Sequence, residues 1–351
     1  VSEPAGGCSW SWLTGPWFSR ILPNEERCPR PGPFPRHLRE PCPSEIGGLS
    51  LALQTWTLGV VVVDSEAWAL RQQMAVVRSW GAPCAAFWRG RLGEADWVVA
   101  RTAPGKVNAA LAAQALLQVV RPDLLMSIGT AGAVGDLQVG DVVIADEVGW
   151  HDTGLYLGAR FVPFGGFVHA EGKGRSVRDG YRLPGDLQEA TRAWAARWRR
   201  ERGEAAPCLL WGKVVTGDQV ILSTQRKEYL RERFGALAVE MESTVVVQVA
   251  STWGIPWVVV RGISDPADSA NGFDFTPWAR LRYGEGGMLA RARILAAMLG
   301  VTLRDPAWPQ KQATVRWGLR LATANATEVV LGLALAPEVR QCVASRPAGL
   351  G

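Results

Sequence analysis

Four short segments carry residues able to do chemistry, and each follows or ends a mostly apolar run of strand length. The run Val258 to Val260 leads into Arg261-Gly262-Ile263-Ser264-Asp265-Pro266-Ala267-Asp268. An Asp delivered into an apolar cleft at a strand end can serve as a general acid, although Ser264 or Asp265 could equally cap a turn or helix. In Val239-Glu240-Met241-Glu242-Ser243, two acids flank a Met just ahead of the apolar stretch 244–250. One carboxylate there can accept two hydrogen bonds from a vicinal diol, and either could instead complement a helix dipole. Gly129-Thr130-Ala131-Gly132-Ala133-Val134 follows the run Leu124 to Ile128. Its small residues either let a ligand approach the backbone or make a plain tight turn. The fourth segment, Thr216-Gly217-Asp218-Gln219-Val220-Ile221, repeats the order of strand, Gly and polar residue.

The elements that must position these residues can be read from the hydrophobic pattern. Apolar runs at 58–63, 97–100, 124–128, 142–145, 208–215 and 256–263 suit strands covered on both faces. Helical patterns fall at 106–120, 186–202, 225–234, 242–253 and 287–299. A further helix is expected over Ser65 to Ser79, capped by Asp64 or Ser65. Alternation of the two kinds predicts an α/β fold with a central, largely parallel or mixed sheet flanked by helices. The segment 150–184, with seven Gly, reads as long loops or an irregular insertion. Residues 1–53, with breaker runs such as Pro29-Arg30-Pro31-Gly32-Pro33, are expected to be a disordered extension ahead of one catalytic domain over 54–300. Residues 301–351 are expected to add a helix over Gln312 to Leu335, docked on the core or on a partner, and a tail loose over its last fifteen residues.

Composition narrows the function classes. The formal charge is +5, but 38 basic and 33 acidic residues are interspersed, which argues against nucleic acid as a partner. Six Cys without CxxC spacing and only three His point to no metal site. No apolar run approaches the roughly 20 residues of a membrane span, and the first residues lack the pattern of a signal peptide. A cytoplasmic location with reduced thiols is the expectation.

Taken in order and at these spacings, the four segments resemble the family of nucleoside phosphorylases and nucleosidases, closest to its 5′-methylthioadenosine/S-adenosylhomocysteine nucleosidases. The resemblance spans about residues 56 to 300. It is supported by Gly105-Lys106-Val107-Asn108-Ala109-Ala110 opening a helix, by Val139-Gly140-Asp141-Val142-Val143, and by His151-Asp152. It implies a three-layer nucleoside phosphorylase-like fold, a small-molecule nucleoside substrate, and no metal or redox cofactor. By resemblance, Asp265 protonates or hydrogen-bonds the purine N7 with Ser264 placing it, Glu242 takes the ribose hydroxyls, and Met241 packs beneath the sugar. Thr130, Ala131 and Gly132 line the sugar and base site, while Ile221 and the backbone around Val220 bracket the purine. The nucleosidases usually carry Phe where this chain has Val220, which removes a stacking contact.

The resemblance also bears on the nucleophile. Hexameric purine phosphorylases carry an Arg three residues before the Ser or Thr of the Gly motif, a cationic fork for phosphate; here that residue is Ser127. Glu66 matches the family's water-activating Glu, and Arg261 an Arg that helps hold the water. Hydrolysis of a 5′-modified adenosine is therefore expected. The alternatives are a phosphorylase, including a hopanoid-associated one, with Arg101 or Arg160 contacting phosphate, or a non-catalytic nucleoside-binding protein. Family members assemble as dimers, trimers or hexamers. A homodimer is expected, with Phe161, Phe164 or Phe167 reaching into the neighbouring site.

Overall fold

Strands rich in Val, Leu and Ile form the middle of the molecule because both of their faces are covered. The computed structural model describes residues 56–170, 174–203, 206–267 and 308–346, with isolated positions 292 and 296. At the centre, β1 (Thr57–Val63) and β14 (Trp257–Asp265) lie parallel to β5 (Leu124–Ala133), with Val60 opposite Met126 and Val259 opposite Ser127. Continuous apolar runs, with no alternation, are what a two-sided burial demands. Outward from β1 come β4 (Ala95–Thr102), parallel, then β3 (Ala85–Leu92) and β2 (Ala75–Ala82), antiparallel.

On the other side of β5 the pairing closes on itself. β13 (Ala236–Glu240) is antiparallel to β5, β12 (Leu209–Thr216) is parallel to β13, and β6 (Val142–Trp150) is parallel to β12. β6 then pairs antiparallel with β14, itself the neighbour of β5. A ten-stranded mixed sheet thus has a half rolled into a ring, with β11 (Gly180–Arg182) on its rim. Helices α2 (Lys106–Val119) and α5 (Ser243–Thr252) pack on each other and on the sheet, and α4 (Thr224–Phe234) meets β13. The helix α6 (Trp308–Leu335) lies along β14 and β5. Two glycines permit that approach: a Cβ on Gly262 would overlap the Ala322 carbonyl oxygen, and one on Gly318 would overlap that of Ser264.

The strands expected from apolar runs are present, and four of the expected helices form within a residue or two of their predicted ends. Four expectations are corrected. The helix over Ser65 to Ser79 is only α1 (Trp68–Gln73), with Ala67 at its N-cap and no side-chain cap. Asp64 instead pairs with Arg101 at 2.6 Å. The chain turns extended at Met74 and continues as β2, where Trp80 stacks on Phe87 of β3 with ring centres 5.2 Å apart. The supposed loops at 150–184 contain β7 (Gly154–Leu157) paired with β8 (Arg160–Pro163), β9 (Gly166–Ala170) paired with β10 (Gly174–Arg178), and β11. Gly158, at φ +61°, makes the first of those turns.

The expected helix from Gln312 begins at Trp308 and docks on the core. The tail is ordered over α7 (Pro337–Ala344), which has Pro in its first turn and buries Val339 and Val343. It is tied to α3 (Gly185–Arg202) by Arg197 and Glu338, 3.1 Å apart. The expected extension 1–53 and all but two positions of the helix at 287–299 lie outside the described residues. Among the described residues no single helix is long and apolar enough to cross a membrane.

Candidate active site

The carboxyl end of β5 is the hub on which the predicted residues meet. Its neighbours β1 and β14 run parallel to it and so end at the same edge. Glu66 follows β1, and its Oε1 accepts a hydrogen bond from Thr130 Oγ1 at 2.5 Å. A Cβ on Gly129 would strike both the Glu66 carboxylate and the Arg261 guanidinium, so the absent side chain leaves room for both charges. Ser264 Oγ donates to Asp265 Oδ2 at 2.8 Å and lies 3.3 Å from the Ala131 carbonyl. A Cβ on Gly132 would come 3.1 Å from Asp265 Oδ1 and closer still to Ala267. Ala267, at φ +51° and buried, donates its N–H to Asp265 Oδ1 at 2.9 Å. A non-glycine residue in the left-handed region costs about 1 kcal/mol, and here it turns the chain so that Asp265 is held from two sides.

Beneath this edge lies a buried ionic cluster. Arg261, 1% exposed, ion-pairs with Glu240 at 2.6 Å. It also donates to Ser243 Oγ and Ser127 Oγ, each at 3.0 Å. Glu240 Oε2 caps the start of α5 by accepting the backbone N–H groups of Glu242 and Ser243 at 2.9 and 2.8 Å. Its other oxygen accepts from Thr216 Oγ1. Glu240 is therefore fully engaged. Of the two acids, Glu242 is the one left available: its Oε1 accepts from Gly105 N at 2.9 Å, and Oε2 is 3.9 Å from Arg261. Burial, reinforced by the neighbouring Glu240 charge, pushes the Glu242 carboxyl well above the usual carboxylate range. Glu66 is raised as well, by burial, against the pull of Arg261. Its Oε2 is buried with no hydrogen-bond partner among the described residues.

The 216–221 loop forms the remaining wall. Gly217 is packed flat on the imidazole of buried His151, where any Cβ would collide with the ring. Lys106 Nζ bridges Asp152 at 2.7 Å and Asp218 at 3.7 Å. Asp218 Oδ1 accepts Lys106 N at 2.8 Å, while Asp218 N donates to Asp152 Oδ2 at 2.9 Å. This clasp joins the start of α2, which carries Gly105, to the loop. Ile221 is buried, Met241 half-buried, and Val220 is 63% exposed.

Thus Glu66, Thr130, Arg261, Ser264 and Asp265 are connected through the end of β5, and Glu242 through Arg261. Val220 stands apart on its open loop. The residue pattern alone does not separate Glu240 from Glu242, whereas the resemblance selects Glu242; neither points to Ser243 or to the geometry of the Lys106 clasp, although Gly105-Lys106 and His151-Asp152 are among the segments that carry the resemblance. Arg101 is taken up by Asp64 and stacks 4.2 Å from the centre of the Trp88 ring. Arg160 is exposed on the β7–β8 hairpin. Among the described residues no group of His, Cys, Asp and Glu is arranged to hold a metal.

A mixed sheet half rolled into a ring, with acids from three strand ends gathered at one edge, defines a phosphorylase-type α/β protein. The chain belongs to the phosphorylase superfamily, whose family model matches residues 57–284. Similar relatives include the 5′-methylthioadenosine/S-adenosylhomocysteine nucleosidase of Mycobacterium bovis, 31% identical over 253 residues, covering 69% of this chain and 91% of the relative. The nucleosidase of the same name from Geobacillus kaustophilus is 33% identical over 216 residues, 59% of this chain and 86% of its own length. The fold is shared with the Neisseria meningitidis nucleosidase solved with methylthio-immucillin-A, at TM-score 0.57 and 24% identity, over 79% of this chain and 97% of that one.

Proposed function

We propose that this protein hydrolyses the N-glycosidic bond of a purine nucleoside, a 5′-modified adenosine of the methylthioadenosine or S-adenosylhomocysteine type, and releases the base. Breaking that bond builds positive charge on the ribose and negative charge on the departing purine, so a catalyst must stabilise the first and protonate the second. Three carboxylates, Glu66, Glu240 and Glu242, share the single guanidinium of Arg261. Those of the three that are ionised favour the cationic form of the sugar. Glu242 takes the 2′ and 3′ hydroxyls. Asp265, steadied by Ser264, gives a proton or hydrogen bond to N7 of the purine. Water adds to C1′ while one of its protons passes to Glu66; the electron pair of the broken bond leaves on the base.

Glu66 Oε2 carries this reading. Thr130 fixes the other oxygen of the same carboxylate, and Oε2 remains an open, buried acceptor beside Arg261. A carboxylate whose proton affinity is raised by burial is the stronger base once ionised. Ser127, at the position of the phosphorylase Arg, is spent on Arg261. The assembly proposed is a cytoplasmic homodimer. Its support is the family resemblance together with exposed rings and aliphatics on the hairpins, among them Tyr156, Leu157 and Phe167. Phe164 pairs with Phe167, and Phe161 with Tyr156.

The test is base release from 5′-methylthioadenosine in phosphate-free buffer. Adenine and the free thioribose are expected as products, at a rate indifferent to added phosphate. Strict dependence on phosphate, with a sugar 1-phosphate formed, would overturn hydrolysis.

A further inference from the structure

One face of α6 is not used by the chemistry above. Arg316, Leu319, Arg320 and Thr323 follow one another at intervals of three, one and three residues, the spacing that places side chains on a single helical face. All four line a cleft of about 560 Å³ whose opposite wall is Ser65, Trp68 and Gln72 and which also contains Glu66. The face lies beside the reacting centre, because Glu66 lines the same cleft, while the opposite side of the helix packs on the core through Gly318 against the Ser264 carbonyl.

The contents of the cleft are mixed in a specific way. Trp68, 38% exposed, and half-buried Leu319 offer apolar surface near Glu66. Both guanidiniums are exposed along the same cleft. Resting on the nucleosidase reading, with Glu242 at the diol and Asp265 at the base, the room beside Glu66 falls to whatever the sugar carries at C5′. A plain methylthio group would use the Trp68 and Leu319 surface and leave both cations without a counter-charge among the described residues, Arg316 making only a hydrogen bond to Gln312 Oε1 at 3.2 Å. A longer substituent ending in a carboxylate would use both, since a guanidinium offers a planar fork of donors that matches a carboxylate in geometry as well as charge.

We propose that this cleft binds a carboxylate carried on the 5′ substituent of the nucleoside, with Arg316 and Arg320 as specificity-determining residues. The enzyme thereby selects an anionic tail over a neutral one.

The experiment compares 5′-(carboxymethylthio)-5′-deoxyadenosine with 5′-methylthioadenosine, in phosphate-free buffer, on the full chain and on its Arg316→Gln/Arg320→Gln variant. The ratio of kcat/KM for the carboxylate over the neutral compound should fall at least about tenfold in the variant, the lower bound for hydrogen bonds to a charged group. The fall should lie in KM, and added salt should erode the ratio in the parent protein. An unchanged ratio would overturn the proposal. So would a variant defect that appears only in the KM for inorganic phosphate, which would assign the arginines to a free oxyanion. Should the parent cleave neither compound, the nucleosidase reading fails by itself. Calorimetric binding of the carboxylate compound then decides the cleft: binding weakened about tenfold by the double substitution supports it, and equal binding refutes it.

Discussion

The sugar end and the base end of the site are built on opposite principles. Under the sugar, Arg261, Glu240, Ser127, Ser243 and Thr216 are buried and satisfy one another through charge-assisted bonds. Each comes from a different strand or helix, Ser127 and Arg261 from within β5 and β14, Thr216 and Glu240 from the ends of β12 and β13, and Ser243 from the start of α5, so the fold cannot form without bringing them together. At the base end, Asp265 is held by one hydroxyl and one backbone N–H, and Val220 faces solvent. Electrostatic preorganisation is thus fused to stability at one end, while base selection is left to a loop that can change without cost to the core.

Removing the cation tests the fused end most severely. Arg261→Met should leave Glu66, Glu240 and Glu242 buried without a counter-charge, and loss of one partner of a buried pair destabilises by about 3 to 5 kcal/mol. The urea midpoint should fall together with turnover. A variant that loses activity while keeping its midpoint would show the cluster to be catalytic without being structural. Asp265→Asn should do the reverse: turnover down by about 10² to 10⁴, the usual reach of a general acid, with the urea midpoint nearly unmoved. A large loss of stability there would erase the distinction between the two ends.

His151 lies at the joint between them, beneath Gly217. Burial holds its imidazole down at about 4, against the opposing charge of Asp152. The unfolded chain, with an ordinary value near 6.5, binds the proton first as pH falls, so this residue's contribution is complete above about 6.5 and drains away toward 4. The loss is on the order of 3 kcal/mol. Glu66 and Glu242, raised in the folded state, pull the other way, since the folded protein takes their protons first. NMR of the imidazole separates the contributions. His151 should stay neutral through pH 5.5 in the folded protein, and a titration near its ordinary value would remove the joint from the argument.

What the sequence disclosed of this arrangement follows from where its information is local. β1, β5 and β14 announce themselves because strands buried on both faces must be apolar throughout, and their ends carry Glu66, Thr130 and Asp265 within a few residues. The counter-charge relation does not have that property. Glu240 and Arg261 stand on β13 and β14, strands that both pair with β5 and not with each other, so spacing could not tell which acid of Glu240-Met241-Glu242 the guanidinium would claim. The stretch 75–79 reads as the end of a helix in sequence but forms the start of β2, because its strand partner β3 supplies the pairing, a tertiary cause absent from any local period. In 154–178, short paired strands, the first pair turning at Gly158, show little apolar alternation, and composition alone reads them as loops.

The smallest effect sharpens the open end. Val220 is 63% exposed at the wall where an aromatic ring is usual among the nucleosidases this chain resembles. A ring there would add stacking on the purine worth about 0.5 to 1.5 kcal/mol beyond the area it covers, roughly a two- to tenfold gain. Val220→Phe should therefore lower the inhibition constant of free adenine by that factor and leave kcat within about twofold. The substitution alters no group that moves a proton or holds the sugar. Because the side chain projects into solvent, the larger ring meets no packed neighbour and the urea midpoint should hold. An unchanged adenine constant would mean that the purine does not lie against this loop, and the base end would have to be sought between Ile221 and Asp265 instead.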